Sequence, residues 1–268
     1  HLGTLACASI KKEISNELSC ALINTFQKVF LLACLLHDVG HAPFSHTGEN
    51  FLRGNSDDCT NLHFILNQLV DSEEFNQNIP NEQSKSAAPH EIMSAIIGIK
   101  YFGSFFLDST EKDLFARCIT GYKYINTNAE NSIKNCYIEL LNSKVIDIDK
   151  MDYLIRDAYT TGFNTTNIDY QRLLSSLTIN KEHELSYHKN AISVIENVIY
   201  AHDSERKWIQ THPIVMYESY LLTIAMTKLT QLIDSENAQF FSLQTLSSEG
   251  NSLNINGKNQ TIRLLCDD

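Results

Sequence analysis

Apolar side chains recur at three- and four-residue intervals along most of this chain, and strict alternation of apolar and polar residues is confined to short stretches. That spacing places apolar side chains on one face of an α-helix. Glycine and proline, which interrupt helices, number only ten and four. We therefore predict an all-α fold. The predicted helices cover 4–19, 22–36, 46–53, 61–70, 112–122 and 131–141, with others beginning at His90 and Asp149.

Four stretches depart from this pattern. Residues 71–89 are polar and contain Pro80 and Pro89, which predicts a mobile surface loop, either an insertion or a lid. Residues 168–180 form a short element, and the loose alternation over 183–195 predicts a short pair of strands. A long helical region follows from Ile192 to Leu232, interrupted at His212-Pro213. The tail, 241–268, is rich in Ser, Asn and Gly, and we expect the C-terminus to be truncated.

Composition narrows the class of protein. The 268 residues are enough for one large domain or two small ones. A net charge of −11 argues against general binding to nucleic acid or to an anionic membrane. No apolar run reaches about 18 residues, so no membrane-spanning helix is expected. Seven cysteines without a Cys-x-x-Cys pair are typical of reduced thiols, so we expect a cytoplasmic protein.

Three histidines and an aspartate fall within ten residues after the apolar run Val29–Leu36: His37, Asp38, His41 and His46. The run predicts a buried helix, so the His-Asp pair lies at its C-terminal end. Adjacent helical side chains diverge by about 100°, so both can reach one ion only at the helix edge, with ligands from elsewhere completing the shell. Imidazole with carboxylate suits iron, manganese or zinc better than calcium. The alternative is a set of surface polar residues after a core helix.

A second dense stretch runs from Val145 to Asp157 and carries four aspartates among apolar residues. On a helix from Asp149, positions 149, 152, 153 and 156 share a face, so carboxylates, a tyrosine and an arginine point the same way. A solvated helix face is the alternative for this stretch taken alone.

Together the two stretches resemble a known family. The string from His37 to His46 resembles the metal-binding signature of HD-domain phosphohydrolases, and its Gly-His-x-Pro-Phe-Ser-His part resembles the deoxynucleoside triphosphate (dNTP) triphosphohydrolases. Ile-Asp-x-Asp-Lys-x-Asp-Tyr from Ile146, with Arg-Asp following, resembles the segment that donates the last metal ligand there. The resemblance covers roughly 1–232. It implies an HD-domain helical bundle with a metal-binding catalytic core over 1–180 and a helical extension over 181–268 that completes the substrate pocket.

The resemblance also implies roles for individual residues at matching positions. The metal ligands are His1, His37, Asp38 and Asp149. The acid-base residues are His46, Glu49 and His90. The substrate-binding residues are His41, Lys150, Tyr153, Asp157, Arg206 and His212.

The chain departs from the family pattern at several of these positions. One residue separates His1 from Gly3 where the family has two, and the preceding arginine is absent. Glu49 stands where aspartate is usual. Gln210 and Pro213 replace a tyrosine and a lysine beside His212, which leaves base and sugar selectivity open.

The implied reaction is hydrolysis of a dNTP to deoxynucleoside and triphosphate. The implied cofactor is a divalent transition metal, which could be Mn, Fe, Ni or Zn, alone or with Mg. The implied partners are the nucleotide substrate and further copies of the chain in a homo-oligomer. Two alternatives remain open: another HD-type nucleotidase or cyclic-nucleotide phosphodiesterase, and a nucleotide sensor with little turnover.

Overall fold

The computed structural model describes residues 1–15, 18–41, 44–52, 56–78, 87–126, 128–163, 167–232, 252–255 and 258–261. Within these ranges the chain is mostly helical, which confirms the predicted fold class. The helices are α1 (Leu2–Ile14), α2 (Cys20–Leu36), α3 (Ser45–Leu52), α4 (Ser56–Val70), α5 (Glu73–Asn78), α6 (Pro89–Tyr101), α7 (Ser109–Thr120), α8 (Ala129–Leu141), α9 (Ile148–Thr161), α10 (Tyr170–Ser175), α11 (Ile192–Glu205) and α12 (Pro213–Leu232). Short 3₁₀ turns occupy Gly103–Phe105 and Lys189–Ala191, and a π turn occupies Arg206–Gln210.

The strands form two antiparallel hairpins. β1 (Leu177–Ile179) pairs with β2 (Leu185–Tyr187), and β3 (Ser252–Ile255) pairs with β4 (Lys258–Thr261). Of the strand pair predicted over 183–195, β2 lies inside that stretch and its partner β1 lies before it, whereas Ile192 begins α11, as the helical region predicted from that residue requires. The apolar residues that suggested a strand follow helical spacing instead. Ala191, Val194 and Val198 are all buried, and they lie three and four residues apart, on one helix face. The predicted domain boundary at 180 falls between β1 and β2, and that division stays a prediction.

Two predictions concern segments that the structure describes only in part. The predicted loop over 71–89 contains α5, so this part of the prediction was wrong, and residues 79–86 lie outside the described residues. Glu73 and Glu74 in the first turn of α5 favour helix formation there. Most of the predicted tail, 241–268, also lies outside the described residues apart from the second hairpin.

Helix α2 lies at the centre of the core. Phe26, Val29, Phe30 and Ala33 are buried at the spacing of one helix face, and the Phe30 ring lies 5.3 Å from that of Tyr137 on α8. Its most extensive packing is against α7, and α1 also packs against it. Because α2 ends at Leu36 inside this packing, the residue that follows, His37, has a fixed position.

Two further helices begin beside the end of α2. Asp147 caps α9, its carboxylate accepting a hydrogen bond of 2.7 Å from the Lys150 amide. In α6, Pro89 occupies the first turn, and the Glu91 carboxylate accepts from the Ala88 amide at 2.6 Å. These caps place Asp149 and His90 within the first turns of their helices.

None of the helices in the described ranges is long and apolar enough to cross a lipid bilayer. The cysteines that the structure describes are all free thiols: Cys7, Cys20, Cys34, Cys118 and Cys136.

Candidate metal and catalytic site

His37, Asp38 and Asp149 form a first cluster, in which one ligand atom of each residue lies within 4.8 Å of the others. The Nε2 atom of His37 lies 3.1 Å from Asp149 Oδ1 and 3.6 Å from Asp38 Oδ2. On the other side of the ring, Nδ1 lies 3.0 Å from the backbone oxygen of Cys34. A carbonyl can only accept, so Nδ1 donates to it and Nε2 directs its lone pair toward the carboxylates when the ring is neutral.

The donor set of the first cluster fits a divalent metal ion. A neutral imidazole nitrogen facing two carboxylates needs a cation between them, either a proton or a metal. Burial lowers the pKa of His37, but the hydrogen bond to Asp149 and the charges of Asp38 and Asp149 outweigh it and raise that pKa to about 9. Hydrogen bonding to His41 lowers the pKa of Asp38 against the effect of burial. One nitrogen and ionised carboxylates are the ligands that a transition metal takes.

A second cluster lies beside the first and consists of His41, His46, Glu49 and His90. The buried carboxylate of Glu49 contacts all three rings: it hydrogen-bonds His90 Nδ1, lies 3.5 Å from His46 Nδ1 and lies 3.9 Å from His41 Nδ1. The His41 and His90 rings stack at 4.1 Å, and His46 meets His41 edge-on at 5.0 Å. One carboxylate therefore hydrogen-bonds two imidazoles and lies close to the third.

Electrostatics within the second cluster favour an ion pair. Burial raises the pKa of Glu49, but hydrogen bonds from His46 and His90 outweigh it and hold that pKa far below its usual range. The hydrogen bond to Glu49 raises the pKa of His46 above its ordinary value. His46 is also the exposed member, since 73% of its side chain is accessible. This arrangement presents a proton donor at the rim of the site. Three imidazoles and a carboxylate are a metal-ligand set as well.

The two clusters are joined through His41, whose Nε2 lies 3.4 Å from Asp38 Oδ1. The turn that carries His41 is fixed from α6, because the Gly40 amide donates to the Ser94 hydroxyl at 2.8 Å. The side chains of α2, α3, α6 and α9 therefore meet around a single region.

The remaining predicted site residues lie outside both clusters. His1 is exposed at the N-terminus of α1. The Lys150 amine is bound to Asp147 at 2.5 Å and to the Ser143 carbonyl at 2.9 Å, so a phosphate contact requires it to leave those partners. Arg206 opens the π turn and is exposed, and the His212 Nδ1 accepts from the Ile214 amide at 3.3 Å. The roles assigned to these residues stay predictions.

Tyr153 and Asp157 lie on the face of α9 that begins at Asp149. Burial raises the pKa of the Tyr153 phenol, and the charges of Glu205, Asp149 and Asp157 add to the effect. These groups therefore share one electrostatic environment, although the role of Tyr153 and Asp157 in substrate binding stays a prediction.

Sequence reasoning missed Glu205 and Ser94. Glu205 is a buried carboxyl near the end of α11, in contact with Asp157 and Gln210. The contact with Asp157 has no local signal in the sequence, because Asp157 lies on α9. Ser94 lies on the apolar face of α6, and a lone hydroxyl in that stripe is the signal that could have identified it.

Comparison with known proteins shows what this chain is similar to. Residues 4–120 match the sequence model of the HD domain. Over 224 residues the chain is 24% identical to the uncharacterized protein MG461 homolog of Mycoplasma pneumoniae, covering 82% of this chain and 46% of the relative. Over 213 residues it is 24% identical to a deoxynucleoside triphosphate triphosphohydrolase SAMHD1 homolog of Dictyostelium discoideum, covering 77% and 34%.

A solved structure shares the fold. The crystal structure of a phosphohydrolase from Bacteroides thetaiotaomicron superposes with a TM-score of 0.59 at 18% identity, covering 90% of this chain and 49% of that one. The chain thus spans about half the length, or less, of the proteins it matches here.

Proposed function

We propose that this chain is a metal-dependent phosphohydrolase that converts dNTPs to deoxynucleoside and triphosphate. The observation that carries the proposal is the first cluster, in which Asp149 meets His37 across 112 residues of sequence. A helix end that brings a histidine and two carboxylates to one point, with the histidine tautomer fixed by a backbone carbonyl, is a site built to hold a cation.

His37, Asp38 and Asp149 would hold the metal, and we infer Mn, Fe, Ni or Zn, alone or with Mg. A bound divalent ion supplies a Lewis acid that polarises a phosphoryl oxygen and a water molecule. The protein's own side chains then supply the proton that the leaving group takes. Hydrolysis forms a bond between the water oxygen and the α-phosphorus and breaks the bond from that phosphorus to the 5′ oxygen.

The second cluster provides the proton that the leaving 5′ oxygen needs. The Glu49 carboxylate stabilises the imidazolium form of its histidines, so His46 remains protonated at a higher pH than an ordinary histidine. His46 donates its proton to the leaving oxygen from the rim, and His90 is held against Glu49. His41 contacts the phosphate.

Two observations from sequence comparison support dNTPs as the substrate class. The string from Gly40 to His46 resembles that of dNTP triphosphohydrolases, and two of its histidines, His41 and His46, belong to the second cluster. A relative bears the name deoxynucleoside triphosphate triphosphohydrolase. Both point to the same substrate class. We further propose that the protein acts in the cytoplasm, where its free thiols stay reduced.

The test is incubation of the protein with each dNTP and Mn²⁺, with separation of the products by anion exchange. Release of inorganic triphosphate with deoxynucleoside is expected, and a sample treated with EDTA should release none. Release of pyrophosphate or phosphate would assign the chain to another HD nucleotidase. Nucleotide binding without any product would make it a sensor.

A further inference from the structure

The second cluster, His41, His46, Glu49 and His90, has the composition and the spacing of a zinc site. One ligand atom of each residue lies within 4.8 Å of the others. In a tetrahedral site with bonds of about 2.0–2.1 Å, the ligand atoms stand about 3.3–3.4 Å apart. The Glu49 carboxylate lies 3.5 Å from His46 Nδ1 and 3.9 Å from His41 Nδ1, close to that separation. The four side chains therefore need only small shifts to close around one ion.

His41 carries the observation that points to a ligand. Its Nε2 lies 3.4 Å from Asp38 Oδ1, and a carboxylate only accepts, so Nε2 carries the hydrogen and Nδ1 presents the lone pair of the neutral ring. Among the residues that the structure describes, Nδ1 is buried and has no hydrogen-bond partner. It faces the Glu49 carboxylate, which is also an acceptor and lies beyond hydrogen-bond distance. A cation between the two satisfies both groups, whereas neither can satisfy the other.

Three elements hold these ligands in place. His41 lies on the turn that is fixed against α6. His46 and Glu49 lie three residues apart on α3, a spacing at which a histidine and a glutamate of one helix reach the same ion. His90 lies in the first turn of α6, with 13% of its side chain exposed. His46, at the exposed rim, can turn inward as the last ligand to join.

Three imidazoles with one carboxylate favour zinc over harder ions. Imidazole suits Zn²⁺ better than Mn²⁺ or Mg²⁺, for which carboxylate and water oxygens are the usual ligands. The first cluster offers one imidazole and two carboxylates, so it is the better site for Mn²⁺. Protein kept in excess Mn²⁺ with a small amount of Zn²⁺ should therefore hold one ion of each kind.

We propose that the second cluster binds Zn²⁺ and that the bound zinc inhibits hydrolysis. The inhibition rests on the proposed function, in which His46 donates a proton to the leaving 5′ oxygen. Zinc binds nitrogen lone pairs, so the protons held between Glu49 and its histidines leave to solvent. A histidine whose Nδ1 binds zinc is no longer an imidazolium, and it gives up its remaining N–H far less readily. The second cluster is then an inhibitory metal site beside the catalytic one.

The binding test uses Asp149→Ala, which removes a ligand of the first cluster and leaves every member of the second in place. Titration calorimetry with Zn²⁺, and inductively coupled plasma mass spectrometry of the desalted protein, should give one bound zinc per chain. X-ray absorption at the zinc edge should show three imidazole ligands. These measurements need no turnover, so they do not depend on the proposed function.

Adding His46→Ala, His90→Ala or Glu49→Gln to Asp149→Ala should weaken zinc binding by at least about 10- to 100-fold, a cost that even the hydrogen-bond partner of a metal ligand carries. The matched control is His188→Ala, an exposed histidine outside both clusters, which should leave the zinc affinity unchanged. Circular dichroism checks the fold of each variant. Because His46 is exposed at the rim, His46→Ala gives the answer if a buried variant does not fold.

The activity test follows triphosphate release by the unsubstituted chain in excess Mn²⁺ as Zn²⁺ is added. Release should fall by about 10²–10⁴-fold at saturating zinc, the cost of losing a general acid, while the bound Mn²⁺ is retained. A zinc-selective chelator should restore it. His188→Ala should respond to zinc as the unsubstituted chain does.

Absence of zinc binding by Asp149→Ala, or a zinc affinity unaffected by the substitutions in the second cluster, would overturn the inference. Loss of triphosphate release that follows loss of bound Mn²⁺, or full release with zinc bound, would remove the inhibitory role. If no preparation releases triphosphate, the proposed function and the inhibitory role fall together, and the zinc site stands or falls on the binding measurements.

Discussion

Single side chains in this site are held from two directions. His37 donates through Nδ1 to the Cys34 carbonyl and faces two carboxylates through Nε2, so its ring can neither flip nor change tautomer without losing a bond. Glu49 in turn hydrogen-bonds His46 and His90 and lies 3.9 Å from His41. The first cluster has the donor set of a metal site, whereas the second pairs histidines with one carboxylate. Substitutions in the two clusters should therefore affect metal content and turnover differently.

Asp38→Ala should remove a charged ligand and thereby abolish both metal content and turnover. Metal content is measured by inductively coupled plasma mass spectrometry after purification in Mn²⁺, and turnover by triphosphate release. Asp152→Ala is the control, since Asp152 is an exposed acid on α9 paired with Arg156. Full metal occupancy in Asp38→Ala would show that the ligand set is wrong.

His46→Ala and His90→Ala should retain metal and bind dNTP but lose about 10²–10⁴-fold in kcat, because they act in proton transfer. Glu49→Gln should be milder, since a neutral amide still contacts the rings. The measurements are metal content, nucleotide affinity and single-turnover rate. If either histidine variant lost its Mn²⁺, that residue would be a ligand of the catalytic metal.

Glu205 should make stability depend on pH. Its pKa is raised in the folded state, so the folded protein binds more protons than the unfolded chain, and the free energy of unfolding falls as pH rises through that pKa. Glu205→Gln should therefore be more stable than the parent chain at pH 7 and show a flatter profile between pH 5 and pH 7. Urea denaturation at both values checks this. A variant less stable at pH 7 would mean that the carboxylate is well compensated in the fold.

At the scale of elements, the close approach of the turn after α2 to α6 positions the second cluster. A Cβ added at Gly40 would lie 2.3 Å from the Ser94 amide nitrogen and 2.8 Å from the His90 carbonyl oxygen. Both atoms belong to the backbone of a helix and cannot move aside as a side-chain end would. Glycine is needed here for space, because the turn carrying His41 must lie directly against α6.

Gly40→Ala should consequently lower the free energy of unfolding by about 1–3 kcal/mol, the range for overpacking, and reduce turnover by displacing His41. Gly103→Ala is the matched control, since a Cβ there meets nothing within 4 Å. Urea denaturation and triphosphate release measure the two effects. Equal stability of the two variants would show that the turn and α6 can separate without loss.

At the scale of the whole molecule, α12 presents a row of exposed apolar side chains, including Met216, Tyr217, Tyr220 and Leu221. Apolar surface gathered on one helix favours association. We expect a homo-oligomer, and we expect the double substitution Tyr217→Glu with Tyr220→Glu to shift it toward monomer. Sedimentation velocity measures this, with Leu107→Glu as the control at an exposed position just before α7. A parent chain that is monomeric at high concentration, with and without nucleotide, would contradict the expectation.

What could be predicted from the sequence was local. Apolar spacing identified α2, α7, α8 and α9 to within a few residues, because helix periodicity depends only on neighbours in the chain. The same local reasoning failed at 73–78, where a loop was predicted, but the helical region predicted from Ile192 does begin there as α11. The position of His37-Asp38 at a helix end also followed from the run before it.

Only the tertiary structure decided which side chains meet. No periodicity links His37 to Asp149, because their contact depends on how α2 and α9 pack over a shared core. His90 reaches Glu49, and Glu205 reaches Asp157, for the same reason. Sequence determines which face of each helix is apolar, but the relative placement of helices is set by packing among side chains distant in the chain, and the chemistry of this site arises from that placement.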